Sequence, residues 1–248
     1  MRASVRWRRI LRTVAFHAAV GIIALAASSD ISRGAEPSMG ASILQQLKSF
    51  ANTGSALYVA AHPDDENTQV ITYLARGRGY RTAYLSLTRG DGGQNLLGPQ
   101  LGETLGVART LELLAARRLD GGRQYFTRAK DFGYSKNAAE TMSVWDRQAV
   151  LGDIVRVIRE FRPDVIITRF SPKPAPTHGH HTASAVLAVQ AFRLAADPAA
   201  FPEQLRELRP WQARRIVTTW ARGSGRRIRA AGCPSRARPR TCLTGRAW

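Results

Sequence analysis

The sequence predicts an α/β domain with a mostly parallel sheet flanked by helices. Three observations carry that expectation. The apolar runs within 56–61 and 164–169 have the length and continuity of buried strands. Amphipathic helical patterns alternate with them. Three strand ends lead straight into polar loops, at 62–66, 88–95 and 171–181, where open α/β sheets place their ligand sites.

Taken in order, Ser42–Phe50 reads as a short helix with Ser42 as its N-cap. Ala56–Ala61 is the first strand and ends abruptly in His62-Pro63-Asp64-Asp65-Glu66. A helix carrying Val70, Ile71 and Leu74 follows, and Gly77 and Gly79 stop it. Thr82–Leu87 is a second strand, leading into Thr88-Arg89-Gly90-Asp91-Gly92-Gly93. Glu103–Leu119 reads as a helix with Leu105, Ala108, Leu111, Leu114 and Ala115 as its apolar stripe. Gly121-Gly122 ends it, and Gln124–Thr127 reads as a third strand. Trp145–Phe161 has helical periodicity through Val150, Ile154, Val157, Ile158 and Phe161. Asp164–Arg169 is a further buried strand, and a last helix runs from the histidine-rich loop at 177–181 to about residue 196.

The chain has 248 residues and a formal net charge of +19, but the charge lies at its ends. Residues 1–27 hold five arginines and 214–248 hold ten, with no acid in either. Residues 28–213 keep 22 basic residues against all 18 acids, about +4, which gives little reason to expect nucleic acid as a partner. The start is arginine-rich, then apolar from Val14 to Leu25, then small at Ala24-Leu25-Ala26, the order of an export signal. That apolar run is too short for a stable membrane span. The expected layout is a signal over 1–27, a linker and short helix over 28–52, one domain over 53–213, and an Arg-rich tail over 214–248 outside the core. The acid-free composition of the tail points to a frame-shifted or truncated end. Both cysteines, Cys233 and Cys242, fall in it, so the core offers no thiol nucleophile.

The chemistry-bearing residues gather in two loops. His62 and Asp65 are three apart across a turn and can face one ion while Asp64 faces elsewhere. The plainer reading is that Asp64 or Asp65 caps the next helix. Four of the five histidines sit in these loops: His62 in the first, His178, His180 and His181 in the second. Catalytic zinc sites use three His or carboxylate ligands and leave a position for water, which the metal makes acidic. A nearby carboxylate can take the water's proton, and a further group can stabilise the oxyanion or protonate the leaving amine. Iron(II) suits the same donors.

At Ala61-His62-Pro63-Asp64-Asp65-Glu66 and His178-x-x-His181 the sequence resembles the N-acetylglucosaminyl-phosphatidylinositol de-N-acetylase (PIG-L/LmbE-like) family. Thr88-Arg89-Gly90-Asp91-Gly92 and Arg109-x-x-Glu112-Leu113 support the resemblance, which covers roughly residues 53–196. It implies a Rossmann-like single domain and one zinc held by His62, Asp65 and His181. It also implies Asp64 as general base and His178 as oxyanion stabiliser or acid. His180 matches no family role and is expected at the surface. Arg89 and Asp91 are candidates for contacts to sugar hydroxyls, against the alternative that Asp91 only bonds its own backbone within a glycine turn. Arg109 and Glu112 are expected to form an i,i+3 pair.

Two departures stand out. Many members carry proline and an acid where this chain has Gly179 and His180, which implies a looser backbone here. The chain past Trp211 also lacks the apolar ending that would complete the sheet. The expected function is zinc-dependent hydrolysis of an N-acetyl amide on a small amino sugar or glycoconjugate. The alternatives are an inactive or truncated relative that binds sugar without cleaving it, and a zinc amidase acting on a non-sugar amide.

Overall fold

The computed structural model describes residues 39–95, 98–220 and 227–230. The expected export signal and both cysteines lie outside the described residues. The chain divides after Gln45 into two units. Of the first, the described part is helical and opens α1 (Met39–Phe50). This helix starts earlier than expected, which leaves Ser42 inside it rather than at its cap.

The second unit is a six-stranded sheet. Its strands are β1 (Ser55–Ala60), β2 (Arg81–Ser86), β3 (Arg123–Phe126), β4 (Val165–Thr168), β5 (Arg215–Trp220) and β6 (Arg227–Ala230). Their order is β3-β2-β1-β4-β5-β6; the first five run parallel, and β6 pairs antiparallel with β5. The chain leaves β1 for β2 and β3 on one side, then crosses back to β4 and β5 on the other. That reversal makes the carboxyl ends of β1 and β4 the switch point of the sheet, the place where open α/β sheets bind their ligands.

Side chains alternate across the sheet. Leu57, Val59, Leu85 and Ile166 pack with α5 (Arg147–Phe161) and α6 (Gly179–Leu194) on one face. Ala56, Tyr58, Tyr84 and Ile167 pack on the other with Ile71 of α2 (Thr68–Thr72) and Leu113 of α3 (Gly102–Asp120). Each such Leu or Ile, fully buried, stabilises the fold by roughly 1.5–3 kcal/mol. Asn67 caps α2 by accepting the Val70 N–H at 3.1 Å, so neither Asp64 nor Asp65 does so. A π-helical turn, Tyr73–Gly77, continues α2.

Three expectations need correction. The inward face of α3 carries Leu105, Gly106, Leu113, Arg117 and Asp120, whereas Leu111 and Leu114 are exposed. The inward face departs from the apolar stripe because an arginine stands on it: Arg117 is buried, paired with Glu66 at 3.3 Å and Asp120 at 2.6 Å. Second, Trp145 does not begin α5. Asp146 caps that helix through the Ala149 N–H at 3.0 Å, and a separate α4 (Ala138–Val144) precedes it. Third, residues 215–220 are no tail outside the core. They form β5, in register with β4 from Val165↔Arg215 to Thr168↔Thr218, with Ile216 buried. Ile216-Val217-Thr218-Thr219 is β-branched throughout, a strand signal that the surrounding arginines masked.

Candidate active site

The first loop is held as a tight turn by its own acid. Asp65 Oδ2 accepts the His62 backbone N–H at 2.8 Å, and the Asp65 N–H donates to the His62 carbonyl at 3.3 Å. The loop is tied to the end of β2, where Thr88 Oγ1 donates to the Ala61 carbonyl at 2.9 Å. Asp64 takes the strained corner with φ 103°, a conformation that costs a non-glycine residue about 1–3 kcal/mol. Two groups hold it there. Its backbone N–H donates to Glu66 Oε2 at 2.9 Å, and its Oδ2 accepts from Arg109 Nη2 at 2.7 Å. Arg109 Nη2 also donates to the Pro63 carbonyl at 2.6 Å. Arg109 thus serves the first motif rather than pairing with Glu112.

The second loop reaches the same place from β4 and the start of α6. His178 is the N-cap of α6, with its Nδ1 accepting the His180 N–H at 3.2 Å. Gly179 is not loose. It is buried, it donates to the Ser135 carbonyl at 2.8 Å, and a Cβ there would collide with Asn137 and Ser135.

His62 Nδ1 stands 3.1 Å from Asp65 Oδ2, and His181 Nε2 stands 3.4 Å from Asp65 Oδ1. Ligand atoms at about 2.0 Å from a tetrahedral zinc lie about 3.3 Å apart; the Asp65 carboxylate meets each histidine at close to that spacing, one through each oxygen, and one ligand atom from each of the three residues lies within 4.8 Å of the others. The donor set also fits, with two imidazoles, one carboxylate, and His181 partly open to solvent. His62, His178 and His180 form a second trio of sufficient proximity, but it has no carboxylate. The ring of His181 is fixed by stacking on Phe170 at 3.8 Å and 7°.

Burial works against a charge on His62, but the hydrogen bond and charge of Asp65, helped by Asp131 and Asp64, outweigh it and raise its pKa. Burial likewise opposes ionisation of Asp65, yet the same hydrogen bond and the charges of His62 and His181 lower its pKa. His181 is pushed down to about 4, first by burial and then by repulsion from His62 and His178, against the pull of Asp65. Burial and then His62 also lower His178.

His180 is not at the surface. It is wholly buried, stacked on Trp145 at 4.9 Å and edge-on to Phe132 at 4.5 Å. Its Nδ1 lies 3.0 Å from His62 Nε2. Burial, then repulsion from the other histidines, takes its pKa to about 3. Arg89 and Asp91 are not brought into the histidine cluster. Arg89 is exposed, donates to Thr110 Oγ1 at 3.0 Å, and lies over the Phe126 ring at 4.2 Å. Asp91 Oδ1 accepts the backbone N–H of Asp131 at 3.2 Å, so it secures a neighbouring loop rather than its own.

That neighbouring loop, 127–137, follows β3 and supplies residues the sequence reading missed. Buried Asp131 lies 3.9 Å from His62 Nε2 and 3.8 Å from His180 Nδ1. Exposed Tyr134 places its ring 5.3 Å from that of His178. The available signal was an acid followed by aromatics and glycine in the loop after a strand, Asp131-Phe132-Gly133-Tyr134.

The family model for GlcNAc-PI de-N-acetylases, PIG-L, matches residues 57–192, which include both histidine loops. The chain belongs to this family. It is 32% identical over 164 residues to the 1D-myo-inositol 2-acetamido-2-deoxy-alpha-D-glucopyranoside deacetylase of Streptomyces avermitilis, covering 59% of this chain and 55% of that protein. It is 30% identical over 195 residues to deacetylase 2 of that name from Saccharopolyspora erythraea, covering 71% and 69%. The chain spans about half the length of the Streptomyces relatives it matches. Among solved structures it is similar to N,N'-diacetylchitobiose deacetylase from Pyrococcus horikoshii, with TM-score 0.54, 19% identity, and 70% and 62% of the two chains covered. The 4-carboxy-2-hydroxymuconate hydratase of Pseudomonas putida is as similar, with TM-score 0.52, 22% identity, and 68% and 66% covered. A hydratase beside a deacetylase shows that this likeness speaks for the fold alone, and that any reaction must be argued from the site.

Proposed function

We propose that this PIG-L family member is a zinc-dependent de-N-acetylase that removes an acetyl group from an amino sugar in a small glycoconjugate. The observation that carries the reading is the His62–Asp65–His181 triad at the switch point of the sheet, with a carboxylate, Asp64, on the same turn. The relatives named as deacetylases of an acetamido-glucopyranosyl inositol support a substrate of that class.

His62 Nδ1, the carboxylate of Asp65 and His181 Nε2 would hold the metal; iron(II) suits these donors too. A cation bound there supplies an acidic water and polarises the amide carbonyl. Asp64 accepts the water's proton as the new C–O bond forms, and Arg109 and Glu66 keep it in place. His178 acts as a neutral donor. Its Nδ1 is occupied by the His180 N–H, so its own proton sits on Nε2. That Nε2–H stabilises the carbonyl oxygen as it gains charge. The same engagement of Nδ1 argues against His178 shuttling protons as an imidazolium. The proton held by Asp64 then passes to the departing amine, and the C–N bond breaks to give acetate and the free amino sugar. Arg89 and Asp91, outside the histidine cluster, remain the candidates for contacts to sugar hydroxyls.

The test is acetate release from N-acetylglucosaminyl-inositol and simpler N-acetyl amino sugars by the zinc-loaded protein. The Asp64→Asn variant is expected to lose about 10²–10⁴-fold in rate with its zinc retained. Sugar binding without acetate release, in protein with a full metal complement, would favour the inactive-relative reading.

The order of charge, apolar stretch and small residues at 1–27 supports export of the protein. No helix among the described residues is long and apolar enough to cross a membrane. Fractionation with N-terminal sequencing tests this: an intact Met1 on protein confined to the cytoplasm would defeat it.

A further inference from the structure

His180 lies outside the ligand triad, yet its Nδ1 stands 3.0 Å from His62 Nε2. The other nitrogen of His62, Nδ1, faces Asp65 at 3.1 Å. His62 therefore presents one nitrogen to the triad and the other to His180. A neutral imidazole carries a single proton. On Nδ1, that proton would occupy the lone pair a cation needs. On Nε2, it needs an acceptor among buried groups. The geometry points to His180 as the positioning residue that provides this acceptor, fixing His62 in the tautomer whose Nδ1 is free to bind metal. The inference rests on the metal-site reading above.

Three observations support it. The His180 ring is held by two aromatic rings, stacked on Trp145 and edge-on to Phe132. The carboxylate of Asp131 is 3.9 Å from His62 Nε2 and 3.8 Å from His180 Nδ1, so its charge favours a proton between the rings without accepting it directly. Accepting on Nδ1 also leaves the proton of His180 on Nε2, a buried atom with no hydrogen-bond partner among the described residues. Such an orphan is costly. A phenylalanine would fill the same aromatic pocket without it, so packing alone does not account for a histidine here. The rival is a second cation on His62, His178 and His180. It would require His62 to bind metal through both nitrogens as an imidazolate.

The experiment compares zinc affinity, by competition with a chromophoric chelator, in the full chain and in two variants. His180→Asn keeps an acceptor near the Nδ1 position but leaves a cavity. His180→Phe fills the space but has no acceptor. A positioning role predicts that His180→Phe loses about 10–100-fold in zinc affinity while His180→Asn stays closer to the parent. A packing role predicts the reverse order, and that result would overturn the inference. So would a second equivalent of zinc that disappears in His180→Phe. Should either variant fail to fold, imidazole ¹⁵N spectra of the zinc-loaded parent give the answer. Protons on Nε2 of both His62 and His180 are expected, and a proton on His180 Nδ1 would overturn the inference. A parent protein that binds no zinc would defeat the metal site itself, whereas zinc binding indifferent to His180→Phe would defeat this inference alone.

Discussion

His62 and Asp65 shift each other's proton affinity in opposite directions, and this sets how the site answers to pH. In the metal-free protein the raised pKa of His62 contributes stability in full below its unfolded pKa, lost as pH rises through the folded value. The lowered pKa of Asp65 contributes above its unfolded pKa and is lost as pH falls through the folded value. The charged pair therefore stabilises the metal-free turn between those limits. Zinc must displace the His62 proton, so its affinity should climb with pH through the raised value, with proton release. Calorimetric titrations in two buffers of different ionisation heat measure this, and affinity flat with pH would contradict it. At this scale the two motifs were the most informative part of the sequence: His62, Asp65 and His181, expected together from them, do stand together. Asp131, Phe132 and Trp145 were not nameable from them, because their part depends on segments distant in the chain meeting the histidines in space. Nothing adjacent in the chain marks His180 as buried, because its aromatic neighbours, Phe132 and Trp145, are distant in sequence.

Elements were legible where one face is uniformly apolar, as in α5, where Val150, Ile154, Val157, Ile158 and Phe161 are all buried as their spacing requires. On α3 the pattern misled, since Arg117 faces inward against Glu66 and Asp120 while leucines face out. A hydrophobic count cannot anticipate a charge neutralised by a partner fifty residues away. The start of α6 yields a sharper prediction. Gly179 sits against Asn137 and Ser135, with no room for a Cβ. Gly179→Ala should destabilise the protein by about 1–3 kcal/mol and weaken zinc binding by displacing His181. Thermal unfolding with and without zinc reports both effects, and an unchanged melting temperature would show that the loop can yield.

For the molecule as a whole, alternation of strands and helices was enough to give a mostly parallel sheet with the histidine-bearing loops at its carboxyl ends. The strand order, which places β1 beside β4 and so joins the two motifs, is a long-range property that no local pattern contains. β5 was overlooked because arginine-rich composition hid a short β-branched run. Its membership of the core is testable, since Ile216→Ala should cost about 2–4 kcal/mol in denaturant unfolding. A change near zero would return the segment to the tail. The central claim, that the switch point of this sheet is a catalytic metal centre, is tested most directly by elemental analysis of the purified protein beside its His62→Ala and His181→Ala variants. About one zinc per parent chain, and little in either variant, is predicted. A folded parent without metal, or variants that retain it in full, would contradict the account.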